Sequence, residues 1–165
     1  MIKIIDNFLD EPTLWFLQDS LLGDQFPWFL NKYVAQPEET QDVNDYQLTH
    51  TFFRDNKQSE TYNIVKPLID KIKPDALVRS KANLNPNTAT IKEHGFHKDV
   101  SFDCNTAVFY VNTNNGYTIF ENGEKIDSLA NRLVIFPSQT LHSGSTCTDQ
   151  KVRCVINFNF FGGQI

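Results

Sequence analysis

Long apolar runs, clustered cysteines, repeats and surplus basic charge are all missing from this chain. No stretch approaches the roughly 20 apolar residues that a membrane-spanning helix needs, so no membrane span is expected. The opening Met1-Ile2-Lys3-Ile4-Ile5-Asp6 lacks a signal-peptide layout, because its apolar stretch is short and Asp6 interrupts it. Cys104, Cys147 and Cys154 are odd in number and show no C-x-x-C spacing. That argues against a cysteine zinc site and for reduced, buried thiols in a cytoplasmic setting. Acidic residues outnumber basic ones 20 to 15, for a net charge of −5 and a pI near 5.3. This balance suits solubility and disfavours a nucleic-acid partner. No repeat, low-complexity tract or linker divides the 165 residues, so a single domain over 1–165 is expected.

Phenylalanine is abundant instead. Fourteen Phe within a 40% hydrophobic composition indicate a core or cleft built on aromatic rings. Trp15, Phe16, Phe26, Trp28, Phe29, Phe52 and Phe53 read most simply as packing between helices and a β-core.

Helical signals belong to the first half. Residues 2–8 read as a short strand. Asp10-Glu11-Pro12-Thr13 offers a cap, an acid and a first-turn proline; Leu14, Leu17, Leu21 and Leu22 recur at helical spacing, and Gly23 stops the run. A polar loop is predicted over 35–47, a strand over 48–53 and a second helix over 59–72. From Ala76 onward the pattern predicts short strands at 77–84, 88–93, 105–112, 117–121, 131–136 and 151–160. Asn122-Gly123 marks a hairpin. Helices followed by many short strands predict an α+β, mainly β, fold in which a sandwich or barrel holds the site.

The chemistry centres on His97-Lys98-Asp99. By itself the pair is weak evidence, since 4 His and 13 Asp in 165 residues yield about 0.3 chance H-x-D matches. Its setting adds weight. The motif follows the predicted strand 88–93; His142 lies 45 positions on, just after Leu133-Val134-Ile135-Phe136-Pro137; and Arg153 lies 11 further, inside the last strand. Two imidazoles and one carboxylate leave an iron three open positions on one face, the ligand set of non-haem Fe(II) oxygenases. Arg153, on an otherwise apolar strand, must face solvent or serve a buried anion, and its planar fork suits a carboxylate. Asn157, four residues on, should face the same way.

These features in this order resemble the Fe(II)/2-oxoglutarate dioxygenases, and most closely their prolyl-4-hydroxylase-type branch. The resemblance is carried by His97-x-Asp99, Phe109-Tyr110-Val111-Asn112, Gly116-Tyr117-Thr118-Ile119-Phe120, Leu133-Val134-Ile135-Phe136 before His142, and Arg153, with Ile5-Asp6-Asn7-Phe8-Leu9-Asp10 as the family's usual entry. It implies a double-stranded β-helix (jelly-roll) core with N-terminal helices packed on one sheet. It also implies that His97, Asp99 and His142 bind Fe(II), and that Arg153 and Tyr110 hold the distal carboxylate of 2-oxoglutarate, with dioxygen (O2) as oxidant. Asn157 and, more weakly, Asn83 are candidates for the cosubstrate wall. His94 and His50 read as ordinary second-sphere or surface histidines. Many relatives carry a Tyr some residues before the H-x-D, where this chain has Asn87-Thr88-Ala89-Thr90.

The expected reaction is hydroxylation of a protein or peptide side chain, proline first among them. A free amino acid or small metabolite comes next, and nucleic-acid demethylation third. A cupin-like jelly roll that binds metal without oxidising anything is the rival reading, and a zinc hydrolase a distant third. The family that the chain resembles includes small proteins like this one in tailed bacteriophages; the compartment expected from the cysteines is the cytoplasm, the host's if the chain is phage-encoded.

Overall fold

The computed structural model describes residues 1–34 and 45–165, so most of the predicted loop at 35–47 lies outside the described residues. In chain order the elements are β1 (Lys3–Ile5), α1 (Glu11–Leu22), β2 (Phe29–Asn31), β3 (Gln47–Arg54), β4 (Lys57–Gln58), a 3-10 turn (Tyr62–Ile64) and α2 (Lys66–Ile72). There follow β5 (Ala76–Pro86), β6 (Asn105–Tyr110), β7 (Tyr117–Phe120), β8 (Lys125–Asp127), β9 (Arg132–Pro137), β10 (His142–Gly144) and β11 (Val152–Phe161).

Every strand pair is antiparallel. The large sheet runs β1-β9-β6-β11-β5-β3-β2, with β4 on β3, and a small sheet runs β10-β7-β8. The two form a jelly roll with both helices on the outer face of the large sheet.

Strict alternation along the central strands builds this arrangement, because successive side chains leave opposite faces of a strand. Cys154, Ile156, Phe158 and Phe160 of β11, Ala107 and Phe109 of β6, and Leu133 of β9 enter one core with Leu17 and Leu21 of α1 and Leu68 and Ile72 of α2. The intervening Val155, Val108, Tyr110, Val134 and Phe136 enter a second core, closed by Phe120 and Ile126 of the small sheet. Toward β5 and β3 the inner face turns polar, and there the cleft opens.

α1 begins where Asp10 Oδ1 accepts the Thr13 amide at 3.0 Å, with proline in the first turn. Its entry is pinned by Asn131, whose side chain accepts from Leu9 N at 2.7 Å and donates to Leu9 O at 2.9 Å. Trp15 and Phe16 do not pack inward as expected; they are 64% and 53% exposed. Leu14, Leu17 and Leu21 occupy the stripe that faces the sheet, which turns the adjacent positions outward. Phe29 is also exposed, whereas Phe26, Trp28 and Phe52 pack together as expected, and His50 is buried among them rather than lying near the site or at the surface.

Two predicted elements are corrected. The helix predicted over 59–72 is a 3-10 turn followed by α2, because Pro67 has no N–H to continue a helix and restarts one in its first turn. Residues 88–93 form no strand. Only Glu93 pairs, in an isolated bridge to Ser145, and Thr88 spends its hydroxyl on Thr90 O and Thr146 Oγ1 rather than leaving the backbone to a ladder.

Candidate active site

His97 and His142 are joined through their backbones. Each amide donates to the other's carbonyl, at 3.0 and 3.2 Å, in an isolated antiparallel bridge. Directly opposed residues of such a bridge put their side chains on the same face, and the two imidazole centroids lie 4.8 Å apart. β10 carries His142 against β7, where Phe120 and Phe136 pack on its ring. Asp99, two residues beyond His97 on an irregular segment, returns to the same side. One ligand-capable atom from each of His97, Asp99 and His142 lies within 4.8 Å of the others.

The partners of these side chains decide which atoms remain free. His97 Nδ1 faces Gly95 O and His142 Nδ1 faces Thr140 O, both at 3.1 Å. A carbonyl can only accept, so each Nδ1 carries the proton and each Nε2 keeps a lone pair. His142 Nε2 is buried without a partner among the described residues. Burial also lowers the His142 pKa and favours the neutral ring that a metal requires. Arg79 Nη2 donates to Asp99 Oδ1 at 2.9 Å and leaves the buried Oδ2 unpaired. Burial pushes the Asp99 carboxyl upward, but Arg79 and the two imidazoles outweigh it, so the group stays below its ordinary value and ionised.

Two nitrogen lone pairs and one carboxylate oxygen, all otherwise unused, fit a divalent transition metal such as Fe(II).

Arg153 is 2% exposed on β11. Its Nε donates to Ser128 Oγ at 2.8 Å and its Nη2 to Thr118 Oγ1 at 3.2 Å, and its guanidinium lies 5.6 Å from the Tyr110 ring. No described carboxylate pairs with it. Two of its five N–H donors are spent, and the rest are available to a ligand. The side chain runs past Gly116, where a Cβ would lie 2.7 Å from both Arg153 Cδ and Thr146 O, and past Gly144, where a Cβ would be a tight 3.3 Å from Nη1. The Tyr110 hydroxyl, expected to face the cosubstrate directly, donates instead to Thr118 Oγ1 at 2.8 Å. Thr118 therefore accepts from both Tyr110 and Arg153, and its own hydroxyl proton is left for a further acceptor.

His97, Asp99, His142, Arg153, Asn83 and Asn157 all line one cleft of about 340 Å³. Asn157 Oδ1 and Asn83 Oδ1 are buried without partners among the described residues. Tyr110 stands behind, within the second core. His50 lies on the helix side, bonded to Pro27 O and Thr61 Oγ1. His94 borders the cleft, held between Asp45 at 3.3 Å and Asn85, and burial lowers its pKa to about 4.

Arg79, Lys81 and Asn85 line the cleft with no role expected for them from the sequence, and so does Thr118, which stood there only as part of the Gly116–Phe120 run. For β5 the signal was available. Arg79, Lys81, Asn83 and Asn85 alternate with buried Ser80, Ala82 and Leu84, which places four polar side chains on one face.

The chain matches no protein-family model and no curated protein by sequence. Solved structures do match. A prolyl hydroxylase from Trichoplax adhaerens, in complex with a hypoxia inducible factor oxygen degradation domain peptide fragment, superposes with a TM-score of 0.66 at 16% identity, over 97% of this chain and 83% of its own. A Pseudomonas putida prolyl-4-hydroxylase gives 0.64 at 14% identity, over 98% and 92%. An oxidoreductase of the 2OG-Fe(II) oxygenase family from Burkholderia pseudomallei gives 0.67 at 9% identity, over 97% and 85%. The chain has the prolyl hydroxylase fold. Its large sheet is centred on β6, β11 and β5, and the small sheet packs over β9, β6 and β11.

Proposed function

We propose that this protein is an Fe(II)- and 2-oxoglutarate-dependent oxygenase that hydroxylates a C–H bond in a protein or peptide side chain, with proline the first candidate. One observation carries the reading. One ligand-capable atom from each of His97, Asp99 and His142 lies within 4.8 Å of the others, in a cleft that also contains a buried arginine with no carboxylate partner among the described residues. The shared fold supports the same reaction class, and the peptide held by the Trichoplax enzyme supports a peptide substrate.

In this reading His97 Nε2, His142 Nε2 and Asp99 Oδ2 hold the metal. Bound there, iron with 2-oxoglutarate and O2 supplies the oxidation, one oxygen atom entering the substrate C–H bond and the other leaving in succinate as carbon dioxide is released. Arg79 keeps Asp99 ionised and engages its Oδ1, so that Oδ2 would be the oxygen offered to the metal. The free N–H donors of Arg153 and the hydroxyl proton of Thr118 receive the distal carboxylate of 2-oxoglutarate. Tyr110 acts through Thr118 by fixing that hydroxyl's direction. Asn157 and Asn83 wall the space beside it.

The test is anaerobic. Fe(II) and then 2-oxoglutarate are added to the metal-free protein while the visible spectrum is recorded. A charge-transfer band that needs both additions is the expected result. Iron binding without the band would favour a cupin-like metal binder, and no iron binding would sink the His97–Asp99–His142 assignment.

A further inference from the structure

The cleft carries more positive charge than the proposed reaction needs. β5 directs Arg79 and Lys81 into it, and Lys98 stands exposed at its rim. Arg79 is spent on Asp99, and Lys98 holds only the neutral Gln139 Oε1 at 3.2 Å. Lys81 is half-buried and makes no hydrogen bond or ion pair with any described residue. Burial, with Arg79 beside it, lowers its pKa to about 8, so it is charged at neutral pH. A divalent metal and dianionic 2-oxoglutarate cancel, as do Arg79 and Asp99. Among the described residues that line the cleft this leaves Arg153, Lys81 and Lys98 as surplus positive charge, and of these only Arg153 has a role in holding the cosubstrate, in a chain whose net charge is −5.

A desolvated ammonium without a partner is costly, and the cost is recovered when a ligand supplies the anion. The neighbours of Lys81 indicate what kind of ligand. In the β5–β11 register Lys81 stands opposite Asn157, and Asn83 is the next residue on the same face. Asn157 is 7% exposed, and both carboxamides have a buried polar atom with no partner. Whichever way each amide is oriented, one hydrogen-bonding atom stays open to a peptide group.

We propose that Lys81, assisted by Lys98 at the rim, binds a carboxylate of the substrate, and that the substrate is an acidic peptide segment with an Asp or Glu beside the residue to be hydroxylated. The proposal rests on the oxygenase reading above. An acidic peptide fits better than a nucleic acid, because one carboxylate need only meet the cleft's local charge, whereas a phosphate backbone must also cross a net acidic protein.

The experiment uses wild type and K81M, each loaded with redox-silent Mn(II) and 2-oxoglutarate. Two pools of fluorescently labelled octapeptides are titrated by anisotropy; they are random except at two positions, fixed as Glu in one pool and Gln in the other. Wild type should bind the Glu pool at least tenfold more tightly, K81M should lose that preference, and the two proteins should bind 2-oxoglutarate within about twofold of each other. Equal binding of the pools by wild type overturns the proposal. So does a K81M whose main loss is 2-oxoglutarate affinity, since Lys81 would then belong to the cosubstrate. Tighter binding of labelled single-stranded DNA than of the Glu pool also overturns it. If wild type binds no 2-oxoglutarate, the oxygenase reading itself falls, a result separable from the peptide titrations.

Discussion

Replacing Arg153 by Met separates the cost of holding a buried cation from the use made of it. Methionine roughly keeps the side chain's length and removes its charge. The folded protein loses hydrogen bonds to Ser128 and Thr118, worth about 1 kcal/mol each. It also sheds a buried charge that no described carboxylate compensates, which acts in the opposite direction. The ligand-free variant should therefore stay within about 2 kcal/mol of wild-type stability. Cosubstrate binding should fare differently. Deleting the cationic partner of a buried, hydrogen-bonded carboxylate costs about 2–4 kcal/mol, or roughly 30- to 1,000-fold in affinity.

Thermal melts of the metal-loaded protein report both effects. At 2-oxoglutarate equal to about 100 times the wild-type Kd, linkage stabilises the fold by about 2.7 kcal/mol. In a domain of this size that raises Tm by roughly 5–10 °C. A variant weakened about 100-fold would gain only about 1 °C under the same conditions. A ligand-free Arg153→Met protein that melts like wild type and still shows the full 2-oxoglutarate shift would refute the assignment of Arg153 to the cosubstrate.

Three further outcomes follow from the geometry. Arg79→Gln removes the charged partner of Asp99 and should weaken Fe(II) affinity about 10- to 100-fold in a chelator competition; unchanged affinity would mean that the ion pair has no bearing on the metal. Asn131→Ala loses two hydrogen bonds to Leu9 at a position with φ of 68°, so Tm should fall by roughly 5–10 °C while Fe(II) still binds; a smaller fall would show that α1 is held by packing alone. Lys81 has a folded-state pKa near 8, set by burial and then by Arg79, against an unfolded value of about 10.4. Between those values the unfolded chain holds a proton that the folded chain has released, so the Lys81 contribution to stability rises with pH. The stability difference between wild type and Lys81→Met, from urea unfolding at pH 7.5 and pH 10, should shift in favour of wild type at the higher pH. A pH-independent difference would contradict the burial of Lys81.

Much of this site could be read before any coordinates, for a physical reason. A ligand set needs particular residue types in a particular chain order, and both are linear properties of the sequence. His97, Asp99, His142 and Arg153 were recognisable from their order and from the β-patterned runs around the last two. The bridge between His97 and His142 was not. It is a pair of backbone hydrogen bonds across 45 residues, within segments too irregular or too short to show a period. The same irregularity made 88–93 look like a strand when only Glu93 pairs. Ser128 left no trace, and Thr118 stood only within the Gly116–Phe120 run with no contact of its own, since a threonine or serine on a short strand or turn reads as surface until its partner is known. Arg79 and Lys81 were legible by alternation. A charged pair in an apolar-looking strand points to a polar inner face, and that is where both residues lie.

The division of the large sheet into two faces has an evolutionary consequence. Cohesion comes mainly from the helix-side core, from Leu17 and Leu21 through Phe109, Ile156 and Phe158. Selectivity would lie in the polar side chains that leave the same strands in the other direction. Exchanging Lys81, Asn83 or Asn157 for another residue touches little of that helix-side packing. Lineages carrying this scaffold can therefore change what they modify through single replacements on β5 and β11, without first evolving a compensating core.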